Sequence, residues 1–321
     1  MKPINKDQTS RWKADVTQSV DYYNDWFIKF APQAYRDTRK QTTAQVKEAF
    51  ERTRNLADIT PAILKEHPSV LAMFRMATAP PIARDRLSGL AYVPSSLIKT
   101  MEVHDRVPPR VGSTKLNSIL SNISEVIRHL LDRDIFTWIQ HGKVPTSKDV
   151  ERAATIVADR MCGAQSDPII RNAQESRQLN AIREWLEARK YRFVSPGSGL
   201  KYNELEPGTF AFRINVPVHL ESAIRSINIP VDVAIQPHST DKGHLPIFIE
   251  AKSAGDFTNT NKRRKEEAIK MSQLKATYGN QVHYVLFLCG YFDSGYLGYE
   301  AAEGIDWIWE HRIDDMKKLL S

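Results

Sequence analysis

Two carboxylates and one amine are spaced along this sequence in a way that can do chemistry. Residues 230–232 read Pro-Val-Asp and residues 250–252 read Glu-Ala-Lys, and apolar, β-rich residues precede both groups. In a strand, successive side chains point to opposite faces, so Glu250 and Lys252 share a face while Ala251 points away. Mg²⁺ prefers carboxylate and carbonyl oxygens, which Asp232, Glu250 and the backbone of Ala251 could supply. Lys252 would lie beside an attacking water, which its charge could orient or deprotonate.

The same residues have a plainer interpretation. Ile247, Phe248 and Ile249 are typical of an interior strand, where an unpaired charge costs several kcal/mol. A buried ion pair between Glu250 and Lys252, or between Asp232 and Lys252, would compensate that cost without any catalysis. Short matches to this pattern occur by chance, and both interpretations stay open at this level.

A strongly basic stretch follows the lysine. Phosphates can bind at a loop and helix N-terminus through amides and cationic side chains. The candidate contacts are Asn259, Asn261, Lys262, Arg263 and Arg264. The alternative is a solvated helix face with internal ion pairs to Glu266 and Glu267.

Upstream of the strands, Glu175 lies one helical turn after Arg171. From there its carboxylate could reach the site and orient the lysine or a water molecule. An ordinary i,i+4 salt bridge with Arg171 is an equally good interpretation.

The surrounding elements predict two domains. Residues 9–156 have apolar residues at three- and four-residue intervals, which indicates helices, with clear examples at 43–57, 61–75 and 116–131. A helix at 170–189 then leads into β-rich runs at 191–194, 210–218, 229–235, 246–251 and 282–288, with a helix at 261–278. We therefore expect an α/β (α+β) fold with a mixed sheet. A mainly helical domain would span residues 1–165 and the domain with the candidate site residues 166–321.

Composition and charge narrow the function. The 321 residues are 41% hydrophobic, enough for a sizeable core, and the formal net charge of +7 favours polyanionic partners. Cys162 and Cys289 form no CxxC pair, and no HExxH sequence occurs, so zinc, thiol and metalloprotease sites lack their groups. Without a signal peptide or a bilayer-spanning apolar run, we expect a cytoplasmic protein with no membrane partner.

Residues 230–232 and 250–252 resemble the signature of the PD-(D/E)xK nuclease superfamily. Three further segments extend the likeness. Residues 76–91, Met-Ala-Thr-Ala-Pro-Pro-Ile-Ala-Arg-Asp-Arg-Leu-Ser-Gly-Leu-Ala, together with Arg-Asn-Ala-Gln-Glu at 171–175 and Glu-Ala-Lys-Ser-Ala-Gly-Asp at 250–256, resemble the XamI family of type II restriction endonucleases. Val231 separates the proline from Asp232, a departure at the most variable part of the motif.

This resemblance implies a restriction-endonuclease-like core and sequence-specific cleavage of double-stranded DNA, with Asp232, Glu250 and Lys252 as the catalytic set and Mg²⁺ as cofactor. It also implies a GTCGAC-type target and a cognate DNA methyltransferase that protects the host. Cutting both strands of a palindrome requires two sites related by a two-fold axis, so we expect a homodimer. The alternatives are a structure-specific repair or recombination nuclease and a non-catalytic DNA-binding protein.

The helical domain is then expected to recognise DNA and to contribute to dimerisation. Arg84, Asp85 and Arg86 lie between a Pro-Pro pair and a glycine. Arginines so placed can read guanine, and the aspartate can fix a guanidinium or accept from cytosine. An interdomain salt bridge around Asp85 is the competing interpretation. Further residues that would extend this surface are Tyr92, Lys99, Arg106 and Arg110.

Overall fold

The structure is a computed structural model that describes residues 3–108, 112–195, 200–219, 226–258 and 260–320, with only the backbone of residues 261–264. By contacts the chain groups into two compact units. One is Ala31–Ile170, and the other joins Met1–Phe30 to Arg171–Ser321. The division of roles between residues 1–165 and 166–321 stays a prediction.

Helices occupy most of the chain before the first strand. They are α1 (Thr9–Arg52), α2 (Pro61–Glu66), α3 (Val70–Met76), α4 (Arg84–Ala91), α5 (Ser95–His104), α6 (Ser113–Leu130), α7 (Thr137–His141) and α8 (Ser147–Glu187). The elements that follow are β1 (Arg192–Phe193), β2 (Thr209–Val218), β3 (Ile227–Gln236), β4 (Ile247–Ala254), α9 (Thr260–Tyr278), β5 (Tyr284–Gly290), α10 (Ser294–Ala302), β6 (Asp306–Trp309) and α11 (Lys317–Leu320).

The six strands form one mixed sheet in the order β1-β2-β3-β4-β5-β6. β2, β3 and β4 pair antiparallel, whereas β1 with β2, β4 with β5, and β5 with β6 pair parallel. The prediction of a mixed α/β architecture is confirmed.

Each face of the sheet is covered by its own apolar layer. On one face, the α9 residues Met271 and Leu274 pack with Phe248 and Leu286. On the other, side chains of the C-terminal part of α8, such as Ile182, pack with neighbours that include Ile249 and Phe287. Because both faces are buried, β4 and β5 are apolar almost throughout, as interior strands require.

The first residues of the chain belong to the sheet unit. The Asp306 carboxylate accepts hydrogen bonds from the backbone amides of Ile4, Asn5 and Lys6. Trp12 packs edge-on against Trp307 at 5.4 Å between ring centroids. The N-terminal segment therefore anchors β6, a role that the helical periodicity of this segment did not predict.

Several predicted helix boundaries differ from the structure. The predicted helix 43–57 is the end of α1, which stops at Arg52 because Arg54, Asn55 and Leu56 adopt left-handed backbone angles. The predicted helix 61–75 is two helices, α2 and α3, separated at Pro68, since the residue before a proline avoids the helical region.

No helix within the described ranges is both long and apolar enough to cross a lipid bilayer. Cys162 and Cys289 are buried free thiols.

The packing of α9 on the sheet gives a stability test. Leu274 is fully buried in that layer, whereas Ile269 on the same helix is 56% exposed. We expect Leu274→Ala to lower the free energy of unfolding by about 2–5 kcal/mol, because it leaves a cavity. Ile269→Ala, the matched control, should change it by less than about 0.5 kcal/mol. Urea denaturation followed by circular dichroism measures both, and equal losses would contradict this packing.

Candidate active site

The site begins where β3 and β4 stop pairing. Their described register ends at Val233↔Ile249, while β4 continues beside β5 through Glu250↔Leu286 and Lys252↔Leu288. The backbone amide of Ala251 instead donates to Asp232 Oδ2 at 2.9 Å. An aspartate side chain thus takes the place of a strand partner and brings its carboxylate next to β4.

A break in side-chain alternation frees Asp232 for this contact. Phe212 and Val233 pack in the α8 layer, but Ile214 and Val231, two residues along each strand, pack in the α9 layer. Residues two apart in a regular strand share a face, so the alternation skips once in each strand. The skip falls at Asp232 and at its opposite neighbour Arg213, which has a left-handed φ of 55°.

Glu250 and Lys252 point towards α9, as their spacing predicts. Lys252 Nζ lies 3.0 Å from Glu250 Oε1 and 3.2 Å from Glu267 Oε1 on α9. Lys270, also on α9, lies 2.6 Å from Glu250 Oε1. The Glu250–Lys252 ion pair of the plainer interpretation is therefore present, within a larger group of charges.

Burial and charge shift the pKa values of these groups. Burial, followed by the nearby Glu250 charge, raises the pKa of Asp232 to about 6, against the opposing influence of the Ala251 amide and the lysines. Burial acts to lower the pKa of Lys252, but the charges of Glu250 and Glu267 outweigh it and raise that pKa to about 12. At neutral pH Lys252 is therefore an ammonium, a donor and not a proton acceptor.

The net charge of this group favours a cation. Asp232, Glu250 and Glu267 carry three carboxylates, against the two ammonium groups of Lys252 and Lys270. One negative charge is in excess when all are ionised. In addition, Glu250 Oε2 is buried without a hydrogen-bond partner among the described residues. A buried carboxylate oxygen in this state is costly unless a cation or proton compensates it.

The predicted catalytic residues line one cleft of about 280 Å³. It contains Asp232, Glu250, Ala251 and Lys252, together with Glu175, so all the residues predicted for catalysis and metal binding come together. The other lining residues are Arg171, Gln174, Gln178, Ser253 and Glu266. The cleft is polar and open to solvent on one side, as a phosphodiester substrate requires.

Glu175 has a different partner from the one that its spacing predicts. Its Oε1 accepts a hydrogen bond from Arg213 Nη2 at 2.7 Å. Glu175 lies on α8, and Arg213 lies in β2 at the position where the side-chain alternation skips. Sequence spacing proposed Arg171, which lies on the same helix. This ion pair connects Glu175 at the edge of the cleft to Arg213, where the alternation of side chains along β2 is interrupted.

The predicted DNA contacts of the helical region lie in the unit Ala31–Ile170. Arg84 Nε donates to Glu102, which also pairs with Arg75. Asp85 accepts from the hydroxyl of Ser95 at 2.6 Å. Arg86, Lys99 and Arg106 are exposed, and Tyr92 is 91% exposed. Arg110 and Asn259 lie outside the described residues, as do the side chains of Asn261, Lys262, Arg263 and Arg264.

Sequence reasoning missed three residues of the site. Glu267 and Lys270 lie on α9, and Gln178 on α8 donates to the backbone oxygens of Lys252 and Phe287. The sequence contained a pattern that could have identified the two α9 residues. Glu267 and Lys270 each lie four residues before an apolar residue, Met271 and Leu274, and therefore on the same sheet-facing side of the helix. One interpretation pairs Glu267 with the basic run, whose side chains at 262–264 lie outside the described residues. Among the described side chains, Lys252 pairs with the Glu267 carboxylate.

Comparison with known proteins decides the family. The model of the XamI restriction endonuclease family matches residues 54–309. The chain belongs to the XamI restriction endonuclease family. It is similar to the type II restriction enzyme SalI of Streptomyces albus G, with 55% identity over 314 residues that cover 98% of each chain. The predicted resemblance to the XamI family and the prediction of a restriction endonuclease are confirmed.

A solved structure gives a much weaker likeness. The crystal structure of protein VC1899 from Vibrio cholerae matches 90% of this chain at 11% identity, with a TM-score of 0.27. The chain spans 56% of that protein. A score this low carries no information about the fold of this XamI-family member.

The end of β4 depends on a glycine in β5. Gly290 has a φ of 96°, and a β-carbon there would overlap the carbonyl oxygen of Ala254. We expect Gly290→Ala to lower the free energy of unfolding by about 1–3 kcal/mol or more through this strain. Gly298→Ala on α10, where the nearest atom of Trp12 is 3.8 Å away, should be neutral or stabilising. Thermal denaturation of both variants checks this, and a neutral Gly290→Ala would refute it.

Proposed function

We propose that this protein is a type II restriction endonuclease with a PD-(D/E)xK catalytic core. It hydrolyses both strands of DNA at a specific sequence, with Asp232, Glu250 and Lys252 as the catalytic set. The observation that carries the proposal is the meeting of these three side chains where β3 and β4 separate, in a chain of a restriction endonuclease family.

The residues present fit a hard divalent cation. Asp232, the unpartnered Glu250 oxygen and the carbonyl of Ala251 are the oxygen donors that would hold Mg²⁺. Among the described residues, no group of three or more His, Cys, Asp or Glu side chains is arranged to hold a metal, so the backbone carbonyl and water would complete the ligand set. Bound Mg²⁺ would polarise the phosphate and stabilise the negative charge that develops on it.

The protein's own groups orient the reactants. Lys252, held as an ammonium, donates hydrogen bonds to the attacking water or a phosphate oxygen and stabilises the transition state by charge. Glu175, 40% exposed at the edge of the cleft, orients water or the lysine through its hydrogen-bonding capacity. The charges of Glu250 and Glu267 raise the pKa of Lys252, which favours the ammonium form and a role in orienting the water.

We further propose that the helical region recognises DNA through Arg84, Asp85, Arg86, Tyr92 and Lys99. The basic start of α9 would bind phosphates through Asn259, Asn261, Lys262, Arg263 and Arg264. The enzyme acts as a homodimer in the cytoplasm, with a cognate DNA methyltransferase as its functional partner. The GTCGAC-type palindrome that the resemblance to the XamI family implies is the first sequence to test.

Plasmid digestion tests the activity. Purified protein with Mg²⁺ should convert plasmid DNA into discrete double-stranded fragments, because a sequence-specific dimer cuts both strands at fixed places. Sequencing of the fragment ends then gives the site and the cut position. Random nicking, or cleavage of branched substrates in preference to linear ones, would support a structure-specific nuclease instead.

Lys252→Gln separates catalysis from binding. The variant should cleave roughly 10²–10³-fold more slowly, since it lacks the ammonium that stabilises transition-state charge. Its affinity for DNA, measured by gel shift without divalent metal, should remain within about threefold. Lys242→Gln, at an exposed lysine paired with Glu206, is the control and should cleave normally. Normal cleavage by Lys252→Gln would show that the catalytic set is misassigned.

Calorimetry distinguishes an enzyme site from a structural ion pair. Mn²⁺ titrated into the protein should bind, and Glu250→Gln should weaken that binding by more than about tenfold because a ligand is lost. Glu206→Gln on the exposed surface should bind Mn²⁺ as the unmodified protein does. If the protein is a non-catalytic DNA-binding protein, neither the unmodified protein nor the two variants should bind Mn²⁺, and the affinity for DNA should not depend on divalent ions.

A further inference from the structure

Glu267 is a buried acid that the catalytic set leaves unexplained. Its side chain is 1% exposed and lies on the sheet-facing side of α9, one turn before the buried Met271. Burial raises the pKa of this carboxyl, and the charge of Lys252 opposes the shift. A carboxylate in an apolar helix face is costly unless a cation pairs with it. Among the side chains that the structure describes, the cation that faces Glu267 is Lys252, at 3.2 Å.

The amine of Lys252 is thus held from two directions. Glu250 contacts it from the same strand at 3.0 Å, and Glu267 contacts it from the helix above. A lysine side chain is long and has many rotamers, so its nitrogen occupies one position only when its neighbours restrict it. Two carboxylates on separate elements, β4 and α9, therefore restrict the position of the nitrogen.

Without Glu267, the Lys252 ammonium would keep only one of these two carboxylate contacts, the one to Glu250. Glu250 Oε2, which has no hydrogen-bond partner among the described residues, is a proposed ligand of the cation. Lys270 lies 2.6 Å from the other oxygen, Oε1. An ammonium that depends on Glu250 alone would shift whenever that carboxylate moves to bind a metal. Glu267 supplies an anchor that is independent of the metal ligands.

We propose that Glu267 is a positioning residue for the nuclease reaction, which fixes the ammonium of Lys252 relative to the scissile phosphate. This rests on the proposed function of the site. Glu267 acts through Lys252 and touches neither the substrate nor the cation, so its loss changes the rate of cleavage and not the affinity for DNA or metal.

The experiment compares Glu267→Gln with Glu187→Gln, an exposed residue at the end of α8. Single-turnover cleavage by Glu267→Gln should be roughly 10–100-fold slower, the usual effect of losing a residue that orients a site group. Its dissociation constants for DNA and Mn²⁺ should stay within about threefold of the unmodified values. Glu187→Gln should match the unmodified enzyme in all three. Unchanged cleavage by Glu267→Gln would overturn the inference.

A spectroscopic measurement follows the lysine itself. The ¹H–¹⁵N signal of the Lys252 ammonium is the one that Lys252→Gln removes. We expect Glu267→Gln to shift or broaden that signal, because an anchor of the nitrogen is lost, and we expect Glu187→Gln to leave it in place. An unmoved signal in a slow Glu267→Gln variant would contradict positioning, and a loss of Mn²⁺ affinity of more than tenfold would make Glu267 a ligand instead.

Folding and function are separated by two further comparisons. Glu267→Met removes the buried carboxylate with little change in volume, and it should cleave as slowly as Glu267→Gln because the same contact to Lys252 is lost. Normal cleavage by the folded Glu267→Met variant overturns the inference even if Glu267→Gln does not fold. If Lys252→Gln also cleaves normally, the proposed catalytic set has failed; if only the Glu267 variants cleave normally, this inference alone has failed.

Discussion

The hydrogen bond between the amide of Ala251 and the carboxylate of Asp232 is the contact on which the site depends. Had β3 and β4 continued their register past Val233↔Ile249, that amide would face Val231 in an ordinary ladder. The strands separate instead, and the carboxylate fills the gap. One backbone donor thereby holds the acid beside β4, and both residues line the cleft.

The distortion that permits this contact is shared by two strands. Arg213 takes a left-handed conformation opposite Asp232, and side chains on both sides of the pair change layers. Non-glycine residues rarely adopt this conformation, and they persist there only when the surrounding structure holds them. Here Arg213 pairs with Glu175 at the edge of the cleft, so the strained residue, the aspartate and the α8 carboxylate form one connected unit.

Electrostatic interactions explain why buried contacts hold the helices around the cleft in place. Charges enclosed between β4 and α9 attract or repel one another strongly because little water screens them. Their balance requires α9 to stay in place, and Leu274 and Met271 pack it on the sheet. On the other side of the sheet unit, Arg177 pairs with the buried Glu310 at 2.9 Å and helps to hold α8 beside the strands.

The sequence alone determined the local geometry of the site. Alternation in a strand required Glu250 and Lys252 to share a face, and apolar runs at 246–251 and 282–288 required interior strands near β4 and β5. The family followed from short segments at 76–91, 171–175 and 250–256, and the family comparison confirmed it. These inferences hold because they depend on neighbours in the chain.

Tertiary structure alone decided which distant groups meet. Glu267 faces Lys252, Glu175 faces Arg213 and not Arg171, and residues 4–6 cap Asp306 near the opposite end of the chain. α1 continues through Pro32, although a proline inside a helix removes one backbone hydrogen bond. Spacing and propensity describe neighbours in sequence. The partner of a buried charge is set by which elements pack together, and that is decided by the free energy of the whole fold.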